Sequence, residues 1–440
     1  MRRSTALYIL TLFTLLTPLT LYGQGYGGPS LLSRGGNTPG KRGRAPVDFN
    51  FYASVRGAYE SGLIGPTLND NGNLDSAVVK GVQAEVGVYG AHSWRRTSIG
   101  LDYRGDYRNY SQFSSFNGSN QALSLDIQHQ RRRMGFFLRE AGGTTNRAFG
   151  GFSAPAFVDS QNFGVPLNEV YDSRVYFSQT SGGMVYRTSA RTSFQVSGDG
   201  FIVKRRTRAL IGLQGYRGGG RVEHRLTRTD TVGLQYDYIH FEYPRVFGSS
   251  GVHMVSATYQ KAFTRNLTGE FTGGFYQSHT IGTQRVTLSP EVAAILGRSM
   301  GVEAFDRTDT EPRIEGKLSY TLEHSKLTFG LTSGVGPGNG LYLTSRQDSV
   351  NGGYSYTGIR RLSLGLSAGY TRYRSLALTL GGYNTVQGGG GLSYKLRDNV
   401  NFTVQVDRRK FDSPGVSGRT GTAITAGLSF SLSKLPLSIW

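Results

Sequence analysis

Cysteine is absent from this 440-residue chain. No disulfide can staple it, no thiolate can hold a metal, and no lipoprotein anchor can be attached to it. Long apolar runs are missing beyond the first two dozen residues, which excludes a bundle of membrane-spanning helices. Acidic residues are scarce, with 29 Asp and Glu against 49 Lys and Arg and a formal net charge of +20. Helix signals are nearly absent too. The one candidate is "SPEVAAILG" (289–297), where Ser289 can cap and Pro290 takes the first helical position. Glycine (63) and tyrosine (26) are plentiful, and an aromatic share of 12% argues against disorder.

The N-terminus reads as an export signal over residues 1–23. Arg2 and Arg3 form its basic start, Ala6 to Leu21 its apolar stretch, and Gly23 supplies a small residue before the cut. Residues 24–46 form a Gly-, Ser-, Pro- and Arg-rich tract without periodicity, expected to be a flexible periplasmic tail. Export makes phosphate-bearing lipids and polysaccharides, rather than nucleic acid, the expected acidic partners of so basic a chain.

From 47 to 440 the dominant pattern is period two. In "RRTSIGLDYRGDY" (95–107), Ile99, Leu101, Tyr103 and Tyr107 share one face, while Asp102, Arg104 and Asp106 share the other. Similar runs recur at "VQAEVGV" (82–88), "LSLDIQ" (123–128), "VGLQYDY" (232–238), "IEGKLSYTL" (314–322) and "NFTVQVD" (401–407). Short basic or polar corners punctuate them, at 93–98, 130–134, 189–193, 226–231, 263–267, 323–327, 358–362 and 396–400. These corners recur roughly every 36 residues, the mark of a repeated hairpin unit. Two wide gaps between corners are expected to hold long inserted loops, at Gly142–Phe177 and Ser278–Glu311. Segments 178–188, 247–256 and 376–390 alternate weakly and read as strand or loop.

Nine such units predict an all-β, antiparallel up-and-down transmembrane barrel of about 18 strands (16–18), with short periplasmic turns and long extracellular loops. The direction of the faces follows from energy. An Arg on the lipid face at mid-bilayer costs roughly 2–4 kcal/mol, and Asp or Glu somewhat less. Asp102, Arg104, Asp106 and Asp126 therefore belong inside, with Gln83, Glu85, Asp237, Glu270, Glu315, Lys317, Gln405 and Asp407. Aromatic residues gather near strand ends, as in "YRNYSQF" (107–113) and "GYTRYRS" (369–375), where interfacial girdles are expected.

The chain ends "TAGLSFSLSKLPLSIW" (425–440). This resembles the C-terminal strand of Gram-negative outer-membrane β-barrels, which the assembly machinery reads as a polar residue, a glycine, two spaced hydrophobics and a terminal aromatic. Thr425, Gly427, Phe430, Leu432 and Trp440 match that pattern. Pro436 breaks the two-residue phase, so Trp440 is expected on a short tail beyond the strand. The resemblance is to a porin-like protein of the outer membrane. It implies contacts with outer-membrane lipids, lipopolysaccharide and the barrel-assembly machinery, and leaves monomer and homo-oligomer both open. It also implies that the third long loop, Gly142–Phe177, folds into the lumen. Arg147, Asp159, Glu169, Asp172 and Arg174 then become candidate constriction residues, faced by a basic ladder from "KRRTRALIGLQGYRGGGR" (204–221).

Three functions are compatible with such a barrel. The first is a water-filled channel for passive diffusion of small hydrophilic solutes. The second is export or surface retention of an acidic polysaccharide, or a structural or adhesive barrel without an open pore. An enzyme is the third and weakest. Asp237 and His240 lie three apart on one strand and so point to opposite faces, and "GGYNTVQGGGG" (381–391) lacks the Lys and following helix of a nucleotide site. No cofactor or metal is implied.

Overall fold

The computed structural model describes residues 48–68, 74–111, 117–145, 174–207, 210–287, 289–297, 299–338, 340–376, 382–413 and 416–436. The proposed signal, the tail and Trp440 lie outside them.

The described chain forms one sheet of 18 strands in which each strand pairs antiparallel with the next, and β1 (Asp48–Leu68) also pairs with β18 (Val416–Pro436). The sheet is thus a closed barrel, the β-structure whose backbone groups are all paired without an edge, as hydrocarbon demands. Strands β2 (Leu74–Ser93) to β5 (Met134–Thr145) pass through β3 (Thr97–Tyr110) and β4 (Gly118–Gln130). Next come β6 (Val175–Arg187), β7 (Thr192–Arg205), β8 (Leu213–Arg225), β9 (Asp230–Glu242), β10 (Gly248–Ala262) and β11 (Leu267–Thr287). After the helix α1 (Pro290–Leu296) follow β12 (Met300–Thr321), β13 (Ser325–Gly338), β14 (Tyr342–Tyr356), β15 (Leu362–Ser375), β16 (Tyr383–Arg397) and β17 (Val400–Ser413). All eight expected corners are the short turns of one end, and α1 stands where the capping signal put it. Of the weakly alternating segments, 178–187 is strand in β6 and 248–256 in β10, and β16 takes up the third from Tyr383.

Burial alternates along the strands with an inverted sense. Charged Glu85 and Asp237 are 4% and 1% exposed, whereas Val86 and Val196 are 55% and 61% exposed. Water would not tolerate so much outward valine, phenylalanine and leucine; lipid would. The outer surface also shows where the band ends. On β12 the outward residues are Tyr320, Leu318, Gly316, Ile314 and Pro312, then Thr310, Thr308 and Asp306. Nine residues of apolar face, at ~3.4 Å a residue and a tilt of about 40°, rise ~23 Å, close to the ~25 Å of such barrels. Aromatic rings flank the band near the short turns at Phe136, Tyr186, Phe194, Tyr259 and Phe402, and higher up at Tyr107, Tyr176, Tyr216 and Tyr370.

One of the two expected long loops is largely strand. β11 and β12 pair without interruption from Leu267↔Tyr320 to Thr287↔Met300, so most of Ser278–Glu311 is a tall hairpin with α1 near its tip. Its outward side carries exposed polar pairs such as His279–Asp306 (2.6 Å). Beyond the hydrocarbon a strand needs no apolar face, which is why the periodicity was silent there. In the other, 142–145 and 175–177 are strand and 146–173 lie outside the described residues.

Candidate functional site: the barrel interior

The inner wall is polar because every second residue of each strand points into the ring. Asp106 accepts hydrogen bonds from Arg108 Nε (3.0 Å) and Asn120 Nδ2 (2.9 Å), and Asp126 accepts from Arg139 Nη2 (2.6 Å). Asp102 and Arg104 share the inward parity of Asp106 on β3. Nearby, Arg56 pairs with Glu85, which also accepts from the Tyr52 hydroxyl (2.9 Å), and Glu60 accepts from the Tyr110 hydroxyl (2.8 Å).

On the far wall, Arg217 of β8 bridges Asp199 of β7 (3.1 Å) and Asp237 of β9 (2.9 Å). Arg313 of β12 reaches Asp237 (3.5 Å) and Glu315 (2.7 Å). Arg221 pairs with Glu223 at 2.6 Å and lies 3.8 Å from Glu270. These arginines therefore form no bare basic ladder, since each is matched by carboxylates on its own or neighbouring strands. The chain's positive excess shows instead at the short turns, where Arg95, Arg96, Arg131, Arg132, Arg360 and Arg361 are exposed. Lys204 and Arg206 face outward at the rim, while Arg205 is buried and Arg208 lies outside the described residues.

A second feature went unread in the sequence. Pairing between β12 and β13 stops at Ile314↔Ser333, although β13 continues with β14 to Gly338↔Tyr342. Beyond that point burial no longer alternates: Gly334, Val335 and Gly336 are all buried, as are Leu343, Thr344 and Ser345. Both faces of the hairpin tip are covered, so it has left the wall and lies inside the barrel. Val335 and Leu343 pack with Phe201, Val203, Ile239, Phe241 and Val252, which belong to β7, β9 and β10.

Polar contacts fasten the tip to that wall. The Tyr243 hydroxyl meets Thr344 Oγ1 at 2.8 Å, Ile211 N donates to Gly340 O (2.9 Å), and Arg205 Nη1 donates to Ile211 O (2.5 Å). Arg346 pairs with Asp348 (2.9 Å) and with Glu311 of the tall hairpin. Gly340 has φ +83°, and a Cβ there would lie 2.7 Å from Arg205 Nε. The available signal was "SGVGPGNGLYLTS" (333–345), in which Val335, Leu341 and Leu343 sit in what should be a water-facing loop.

Of the loop residues named from sequence, Arg147, Asp159, Glu169 and Asp172 lie outside the described residues. Arg174 directly precedes β6, where its carbonyl accepts from Arg206 N (2.9 Å). At the C-terminus, Thr425 and Gly427 face inward and Phe430 outward on β18. A Cβ on Gly427 would come 2.1 Å from Val55 O, so glycine lets β18 close on β1. Asp237 points inward and His240 outward, which separates them by the thickness of the wall. Among the described residues no group of three or more His, Asp or Glu is placed to hold a metal ion.

No protein-family model matches the chain, and no curated protein sequence does. Among solved structures it is similar to OccAB4 of Acinetobacter baumannii, with a TM-score of 0.43, 9% identity, and coverage of 88% of this chain and 99% of that one. It is also similar to OpdK of Pseudomonas aeruginosa with vanillate (TM-score 0.42, 11% identity, 88% and 99% covered) and to a BenF-like porin from Pseudomonas fluorescens Pf-5 (0.42, 9%, 89% and 100%). At that level of likeness, the solutes of those proteins carry no information about this one.

Proposed function

We propose that the protein is an outer-membrane channel that lets small hydrophilic solutes diffuse through a hydrated, charge-balanced bore. The observation that carries this reading is the inner wall, where clusters of paired arginines and carboxylates line a closed ring whose outside is apolar. An 18-stranded barrel is wide enough for a water-filled lumen. The β13–β14 tip crosses the ring and narrows the bore there. Paired charges disfavour export or retention of an acidic polysaccharide, because the guanidiniums that would grip a polyanion already face carboxylates.

Purified protein in planar bilayers is expected to give discrete conductance steps in potassium chloride. Membranes that stay silent although folded protein has inserted would refute the channel.

A further inference from the structure

The bore has two unlike walls. Charge enters it from β1–β5, β7–β9, β11, β12 and β17. The strands β13–β16 bring none within the lipid band. Their outward residues Val350, Tyr354, Leu366, Tyr370 and Val386 are between 39% and 57% exposed, so the residues between these face inward. From Lys326 and Lys395 beside the short turns up to the stacked Tyr373 and Tyr383, each inward residue of the four strands is Gly, Ser, Thr, Asn or Gln. Arg346 and Asp348 of β14 have the outward parity and pair with each other.

Register arranges these neutral groups in rungs. Gly330, Asn351, Gly369 and Gln387 are neighbours across the four strands, and Gly353, Ser367 and Gly389 stand on the rung below. Glycine keeps the wall low between the amides. Gln387 is exposed although it points inward, and Asn351 and Ser367 are half-buried, so all three meet the bore. Two acceptors on β14 are also unmatched. Ser349 Oγ, on a residue only 4% exposed, and Asn351 Oδ1 have no hydrogen-bond partner among the described residues. A polar atom so placed is destabilising until a donor reaches it.

We propose that β13–β16 form the strip along which the solute is recognised, and that this solute is uncharged and rich in hydroxyls, of the sugar or polyol class. An ion gains little from the other wall, because each charge there is already matched by its opposite. A hydroxyl donates one hydrogen bond and accepts two, and the Ser, Thr, Asn and Gln groups of the strip offer both roles in return. Such a solute can therefore exchange its bonds to water for bonds to the wall. The inference rests on the channel reading above and names the substrate class for it.

Glucose, gluconate and glucosamine share one carbon frame and carry no charge, a negative charge and a positive charge. Proteoliposomes holding the full chain, with the membrane potential clamped by potassium and valinomycin, can be offered each in radiolabelled form. Glucose is expected to enter at least fivefold faster than either charged solute. Asn351→Leu and Gln387→Met keep the bulk of their side chains and remove the hydrogen bonds, so each should slow glucose at least threefold. Gln195→Met, on β7 of the charged wall, should not. Conductance steps in planar bilayers report that a variant has folded and inserted, and the wild-type comparison needs no variant. A conducting wild type that passes the three solutes at one rate, or a charged one faster, overturns the proposal. So does unchanged glucose entry through conducting N351L and Q387M. A wild type without conductance instead overturns the channel itself, and this inference with it.

Discussion

Asp237 serves two guanidiniums, those of Arg217 and Arg313, from strands on either side of its own. That sharing makes it the residue through which bore charge is most simply changed. Asp237→Asn removes a negative charge and leaves both arginines in place, so the variant is expected to become more anion-selective. The reversal potential across a potassium chloride gradient should move toward that of chloride, and an unmoved potential would mean that ions do not pass this wall. Inward placement of Asp237 was legible in alternation alone, but its partners were not, because side-chain pairing depends on the register between strands. Glu140 shows the opposite limit. In "GFFLREAGG" (135–143), Phe136 and Phe137 offer both faces an aromatic, so period two could not say which way Glu140 or Arg139 would point. Gly427 was noticed as part of an assembly signal, whereas the structure adds a steric reason. Gly427→Val should cut the yield of folded barrel several-fold, read as loss of heat-modifiable migration in gels, while Ala426→Val, on the outward face, should not.

At the scale of elements, the corners were the most legible feature, since turn residues and basic side chains recur where each strand pair must reverse. Strands inside the lipid band were legible for the same reason that they are stable there: one face must be apolar. The upper parts of β11 and β12 satisfy no such demand and read as loop. The β13–β14 tip obeys a third rule, in which both faces are covered and alternation disappears. Because Gly340 packs against Arg205 with a positive φ, Gly340→Val should unseat the tip and widen the bore. Removal of residues 337–341 should do so more fully. Single-channel conductance is expected to rise in both, and unchanged conductance would mean that the hairpin does not limit flow. Arg361, in the corner before β15, is a non-glycine residue with positive φ (69°). A left-handed conformation costs a non-glycine residue roughly 1–2 kcal/mol, more than the roughly 0.5–1 kcal/mol of extra chain entropy that glycine loses on folding, so Arg361→Gly should raise the urea midpoint of unfolding.

For the molecule as a whole, architecture followed from counting. Eight corners separate nine hairpins, and a lipid-facing sheet has to close, so an up-and-down barrel of 16–18 strands was legible in the sequence, and the structure has 18. Lumen shape was not, because it depends on which hairpins leave the wall, and that is decided by contacts between strands far apart in the chain. All of these arguments share one claim, that alternate residues of each strand face water on one side and hydrocarbon on the other. Strand β3 offers the most direct measurement. Single cysteines at 101 to 104, introduced one at a time into protein reconstituted in vesicles, can be exposed to a charged, membrane-impermeant maleimide. The expected result is labelling at 102 and 104, with protection at 101 and 103, where a lipid-soluble probe reacts instead. Labelling in the opposite phase, or equal reaction at all four positions, would contradict the account.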